Sequence, residues 1–189
     1  MAVYALTNKA NGIANRIVTP VKITNPVTNQ VFDTTAIWDT GATNCTITAS
    51  VAKALGLVPV SKATVNGVHG PKEVNVYFVT ITLNNENITL TTQVTETAEL
   101  SPGHDIGMLV GMNIISKGDF CITNHGGQTV MTFRVPSLES VDYVAEIAVH
   151  NRCLSIHNRN IALHFKQDKC ACGSGKDYKN CHGKSKYNQ

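Results

Sequence analysis

Asp39 stands within A-I-W-D-T-G-A-T-N-C-T-I-T, the run from Ala36 to Thr48, where a glycine turn separates two apolar β-type segments. A carboxylate held at such a corner can accept a proton from water and return it, which is one half of an acid and base pair. Near the other end of the chain Cys170, Cys172, Cys181 and His182 follow the pattern C-x-C, eight residues, C-H. Three thiols and an imidazole in two close pairs, joined by a loop rich in Gly and Lys, can close tetrahedrally around zinc. Disulfides are the alternative use of these cysteines. Six cysteines with no signal peptide, four of the Cys and His groups at zinc spacing, favour the metal.

The elements that must position these groups read mainly as strands. Ile37 and Trp38 prefer strand and Thr40-Gly41 interrupts it, so Asp39 is expected at a strand-to-loop corner. Gly41 permits close backbone packing, and the Thr40 hydroxyl can bond within its loop or to a neighbouring chain. Ile17 to Thr24 and Val31 to Trp38 alternate β-branched residues on either side of the turn-rich segment Asn25 to Gln30, which predicts a hairpin leading into the Asp39 loop. Val74 to Leu83 with Ile88 to Thr95, and Phe120 to Thr123 with Thr129 to Val135, predict two more. Val65-Asn66-Gly67-Val68-His69-Gly70-Pro71 is a glycine-rich hairpin tip. A short helix is expected from Ala49 to Leu57, capped by Thr48 or Ser50 and ended by Gly56 and Pro59. After Pro136 the period changes: Leu138, Val141, Val144, Ala145, Ala148 and Val149 share one face of a helix expected over Leu138 to Asn151.

Asp39-Thr40-Gly41-Ala42 matches the D-T/S-G-A/T motif, and the chain here resembles the retropepsin-like aspartic proteases. Leu109-Val110-Gly111-Met112-Asn113-Ile114-Ile115 resembles the apolar segment that lies beneath the active loop in that family, and the Val65 to Pro71 tip falls where the family carries its flap. The resemblance covers about Val18 to Pro136. It implies a mainly β, single-lobed, closed barrel-like fold that works as a homodimer, with Asp39, Thr40 and Gly41 catalytic and Ala42, Gly67, Val68, His69 and Gly70 against substrate. The C-terminal segment resembles the SEC-C motif, whose zinc ligands would be Cys170, Cys172, Cys181 and His182. The implied organisation is a protease domain over 1–136, a helical connector over 137–166 and a zinc module over 167–189.

Aspartic proteolysis needs two carboxylates sharing a proton beside one water, and this chain has a single D-T-G. Two Asp39 residues meeting on a two-fold axis would supply the pair, with the Thr40 hydroxyls bonding across it. Asp105 and Asp119 lie in sequences that read as turns, and Asn113 carries no acid. Cys45 reads as a buried small hydrophobe, His69 as a solvated loop residue, and His150, His157 and His164 as a solvated helix edge. Two functions fit these readings: an aspartic endopeptidase acting on peptide or protein substrates, or a non-catalytic adaptor of the same fold.

The net charge of +3 is unevenly placed. From Lys166 onward six lysines against two aspartates leave +4, so the rest of the chain is close to neutral. That basic tail gives a protein or nucleic-acid partner a weak, salt-sensitive attraction without specificity. Apolar runs such as Met108 to Met112 are too short to cross a bilayer, and no membrane association is expected; the cytoplasm is the default location.

Overall fold

A computed structural model describes residues 2–67, 70–84, 86–101, 103–163, 169–170, 172–177 and 180–181, with backbone alone at 67 and 156–163. The elements run in chain order as β1 (Tyr4–Lys9), β2 (Val18–Thr24), β3 (Val31–Trp38), β4 (Thr46–Thr48), α1 (Ala49–Ala54), β5 (Ser61–Gly67), β6 (Gly70–Leu83), β7 (Thr89–Thr97), β8 (Ile106–Val110), α2 (Met112–Ile115), β9 (Asp119–Thr123), β10 (Val130–Val135) and α3 (Tyr143–Leu163). They fall into two compact units, residues 1–139 and 140–189.

In the first unit the larger sheet has the order β2-β3-β8-β4-β7-β6-β5, and β2 also pairs with β6. That extra pairing, Val21 opposite Leu83 through Thr24 opposite Thr80, closes β2, β3, β8, β4, β7 and β6 into a six-stranded barrel with β5 attached outside. Alternation fills the barrel. Val21 and Ile23 of β2, Ala36 and Trp38 of β3, and Val79, Ile81 and Leu83 of β6 are buried, while their neighbours along each strand are less so. In β8, flanked on both sides by strands, Ile106, Gly107, Met108 and Val110 are all buried, the continuous apolar run that a central strand requires.

The three expected hairpins form. The first is held by Asn25, whose buried amide donates to the Leu55 carbonyl at 3.0 Å while its Oδ1 accepts from the Val27 N–H at 2.9 Å. Thr48 caps α1 by accepting from the Val51 N–H at 3.4 Å, and the helix ends at Ala54, ahead of the expected Leu57, where Gly56 turns to φ +58.

A smaller antiparallel sheet, β1-β10-β9, was not foreseen in its first strand. Leu6 is the one buried residue of β1, so its sequence carries little alternation. Asp119 also departs from expectation, being the first residue of β9 rather than part of a turn. It sits opposite Arg134 of β10 and accepts from the Arg134 guanidinium, the Ser137 hydroxyl and the Leu138 N–H. Ser137, Leu138 and Arg134, in that order of effect, hold its carboxyl well below the usual carboxylate range. A depressed folded-state pKa stabilises above the ordinary value near 3.8, and the contribution is lost as pH falls below it. Asp119→Asn should therefore lower the melting temperature at neutral pH, by an amount that shrinks as the pH is taken below about 4. Melting both proteins by circular dichroism across that range checks this, and a constant difference would remove the assignment.

In the second unit, the expected helix over Leu138 to Asn151 is displaced at both ends. Leu138 is committed to Asp119, and the helix starts at Tyr143 because the Asp142 carboxylate accepts from the Val144 and Ala145 N–H groups at 2.9 and 3.1 Å. It continues to Leu163 through a stretch with neither Gly nor Pro. The apolar positions of its first turns are exposed, Val144 at 81%. No helix among the described residues is long and apolar enough to cross a membrane.

Candidate active site and metal centre

Asp39 follows directly on the C-terminal end of β3, and the residue before it is fixed from three sides. Trp38 stacks on Phe120 at 5.4 Å between ring centroids, meets Phe133 edge to face at 5.3 Å, and donates its indole N–H to the Thr19 hydroxyl at 3.0 Å. The Asp39 N–H extends the β3–β8 pairing by donating to the Val110 carbonyl at 3.0 Å. Beyond that point the chain turns. The half-buried Asp39 carboxylate accepts from the Gly41 N–H at 2.8 Å, and a side chain at Gly41 would bring its Cβ to 3.2 Å from the same oxygen. Thr40 and Gly41 are exposed and Ala42 is half-buried. Among the described residues no second carboxylate is bonded to Asp39.

Underneath, the loop is joined to the start of α2 by a series of hydrogen bonds. Met112 and Asn113 donate their N–H groups to the Ala42 and Thr43 carbonyls at 2.8 and 3.0 Å. The Asn113 side-chain oxygen accepts from both the N–H and the thiol of Cys45, at 2.9 and 3.0 Å, and the Gly111 N–H donates to the Cys45 sulfur at 3.3 Å. Burial pushes the Cys45 thiol up to about 11, so it remains a neutral donor within the core. Asn113 is thus occupied in holding the loop. Gly111 is required because a Cβ there would meet the Asn44 carbonyl oxygen at 2.5 Å and that of Ala42 at 2.9 Å. Gly111→Ala should destabilise the fold by about 1–3 kcal/mol, the usual cost of overpacking. Urea denaturation checks this, and an unchanged midpoint would mean that the loop yields freely.

The expected flap is a hairpin of β5 and β6 in which Asn66 faces Pro71 and Gly67 faces Gly70. Gly70 takes φ +93, a conformation that favours glycine. Val68 and His69 lie outside the described residues. Lys62 and Glu73 pair across the hairpin at 2.5 Å, and β6, fourteen residues long, runs on from it into the barrel wall. Asp105 is exposed just ahead of β8, and among the described residues only the Asp119 carboxylate of this pair is bonded. The Asp105 carbonyl accepts from the Thr35 hydroxyl before β8, and the Asp119 carboxylate is clasped as described above.

In the second unit the Sγ atoms of Cys170, Cys172 and Cys181 all lie within 4.8 Å of one another, Cys172 and Cys181 at 3.6 Å. Zinc at about 2.3 Å from each of two thiolates in tetrahedral geometry sets their sulfurs about 3.8 Å apart, so the three thiols fit the metal. Gly173 and Gly175, at φ +80 and +70, make the return between the cysteines, which the Cys170 N–H closes on the Lys176 carbonyl at 2.7 Å. Lys169 and Asp177 bridge the base of this loop, with their side chains 3.0 Å apart. Hydrogen bonds from the Ser174 side chain and backbone, with help from Cys170, bring the Cys172 thiol down to about 6, toward the thiolate form a metal needs. His182 lies outside the described residues. Sequence reasoning missed Cys153, a buried thiol of α3 whose sulfur is 3.7 Å from that of Cys170. His150 is half-buried on the same helix; the side chain of His157, and His164 altogether, lie outside the described residues.

The sequence profile of the SEC-C motif matches residues 168–184. No curated protein sequence matches the chain. Among solved structures, a retropepsin-like aspartic protease from Rickettsia conorii is similar at 11% identity and a TM-score of 0.48, covering 71% of this chain and 97% of that one. The retroviral protease-like domain of Ddi1 from Leishmania major is similar at 18% identity and a TM-score of 0.42, covering 69% and 99%. The Simian Foamy Virus (mac) protease is similar at 16% identity and a TM-score of 0.38, covering 53% and 92%. The aspartyl protease profile matches residues 19–114, a span that holds the Asp39 loop, the β5–β6 hairpin and Gly111. A match across half of the chain, with a D-T-G loop at the end of a strand in a single closed barrel, means that the chain belongs to the aspartyl protease family in its retropepsin-like form, joined to a C-terminal SEC-C motif.

Proposed function

We propose that the chain is a homodimeric aspartic endopeptidase whose catalytic pair is Asp39 and its copy in a second subunit. The observation that carries this reading is a half-buried carboxylate on a rigidly supported loop, flanked by exposed Thr40 and Gly41 and bonded, among the described residues of its own chain, to a backbone N–H alone. In the dimer one Asp39 is ionised and the other protonated. The ionised one takes a proton from the water as its oxygen attacks the scissile carbonyl carbon, and the protonated one gives its proton to the carbonyl oxygen. The tetrahedral intermediate collapses as the C–N bond breaks and the amine nitrogen takes a proton from the pair. Thr40 and Gly41 hold the two loops, and Ala42 with Gly67, Val68, His69 and Gly70 of the flap lines and covers bound peptide by strand addition.

Cys170, Cys172, Cys181 and His182 would hold one structural zinc in the SEC-C module, whose basic surface recruits a protein substrate or partner. The test is hydrolysis of a short peptide library by the full chain at mildly acidic pH, with inhibition by a statine-type peptide. Rate per subunit should fall on dilution as the dimer dissociates. A folded dimer, verified by sedimentation, that cleaves no peptide would overturn the endopeptidase assignment.

A further inference from the structure

We infer that Cys153 belongs to the metal centre, as a thiol that donates a hydrogen bond to the Cys170 sulfur and positions it from outside the ligand set. The inference rests on the zinc reading of the C-terminal cluster and extends it to a residue upstream of the SEC-C match, which begins at residue 168.

Cys153 lies on α3 and is 1% exposed, and Cys170 beside it is 4% exposed. Their sulfurs are 3.7 Å apart, and Cys172 and Cys181 pack against the pair, so the covered centre of this unit consists of four thiols among the described residues. The group whose sulfurs lie within 4.8 Å of one another is nevertheless Cys170, Cys172 and Cys181. Cys153 touches that group at one corner, which is the placement of a supporting neighbour rather than of a ligand. A metal-bound Cys170 thiolate can accept hydrogen bonds but has none to give, so the S–H in this contact comes from Cys153. Partners of this kind orient a ligand, and their removal typically lowers metal affinity by about 10- to 100-fold. The contact also joins the middle of α3 to the metal loop, so that metal binding fixes the loop against the helix.

Three variants of the full-length chain separate donation from packing: Cys153→Ser keeps a donor, Cys153→Val fills the space without one, and Cys153→Ala does neither. Zinc affinity is read by competition with a chromophoric chelator, and ligand number by thiolate-to-cobalt charge transfer after loading with Co²⁺. Circular dichroism at saturating zinc identifies any variant that fails to fold. Cys153→Val and Cys153→Ala should bind zinc about tenfold or more weakly, with Cys153→Ser close to wild type. Charge-transfer intensity per cobalt should be unchanged in all three, whereas Cys172→Ala should lose about a third of it, one of three thiolates. Equal affinity in the Ser and Val variants would overturn the donor role, and reduced charge transfer in them would make Cys153 a ligand and overturn it too. A wild-type chain that binds no zinc would instead overturn the zinc reading itself, and this inference with it.

Discussion

Asp39→Asn is expected to abolish peptide hydrolysis, lowering kcat/KM by about 10,000-fold or more, because in the proposed mechanism the variant removes base and acid together from a site built of two copies of one residue. The fold should survive. The side-chain oxygen of the introduced amide can still accept from the Gly41 N–H, and the support beneath the loop uses Ala42, Thr43, Cys45, Gly111, Met112 and Asn113, none of which is altered. Dimer affinity should be equal or higher, since like charges brought together on an axis oppose association unless one is protonated. Peptide assay with sedimentation velocity on the same preparations measures both. Wild-type cleavage by the variant would remove the catalytic assignment, and a variant that is inactive because it is monomeric would show that Asp39 acts in assembly rather than chemistry.

Much of the support for Asp39 could be read from the chain, since hairpins with alternating β-branched residues and a sharp D-T-G break follow local rules. What could not be read was set by tertiary pairing. β4 is three residues long and gains its identity by lying parallel to β7, Thr46 opposite Thr95, and antiparallel to β8, an order no local pattern records. Gly111 was legible as part of an apolar motif, but its necessity comes from the Asn44 carbonyl that occupies the place of a side chain. The same holds for Asp119, whose partners are Arg134 across the strand pair and the backbone beyond β10. In the second unit the error in the helix boundary had a consequence. A helix stopped at Asn151 leaves Cys153 outside any element, whereas one running to Leu163 carries it to the Cys170 sulfur.

Removing a metal ligand should separate the two units functionally. Between Cys170 and Cys181 the described residues bury no apolar side chain besides cysteine, so little hydrophobic energy is available to hold the loop. Structural zinc supplies about 10 kcal/mol or more of folding free energy in modules of this size, and under the proposed zinc reading most of the loop's order would come from it. Cys181→Ala should therefore lose its zinc and unfold the segment from about Lys169 onward. The barrel, with its own buried strands and residues 1–139 forming a compact unit, should melt within about 2 °C of wild type. Hydrolysis of a short peptide should be unchanged by this variant or by chelation, because the reaction relies on carboxylates and water. Processing of a folded protein substrate should fall if the module recruits it. Zinc per chain by atomic emission, peptide turnover and two-unit melting form the test. Full zinc retention in Cys181→Ala would sink the ligand assignment, and loss of short-peptide cleavage from an intact dimer would place the metal at the active site.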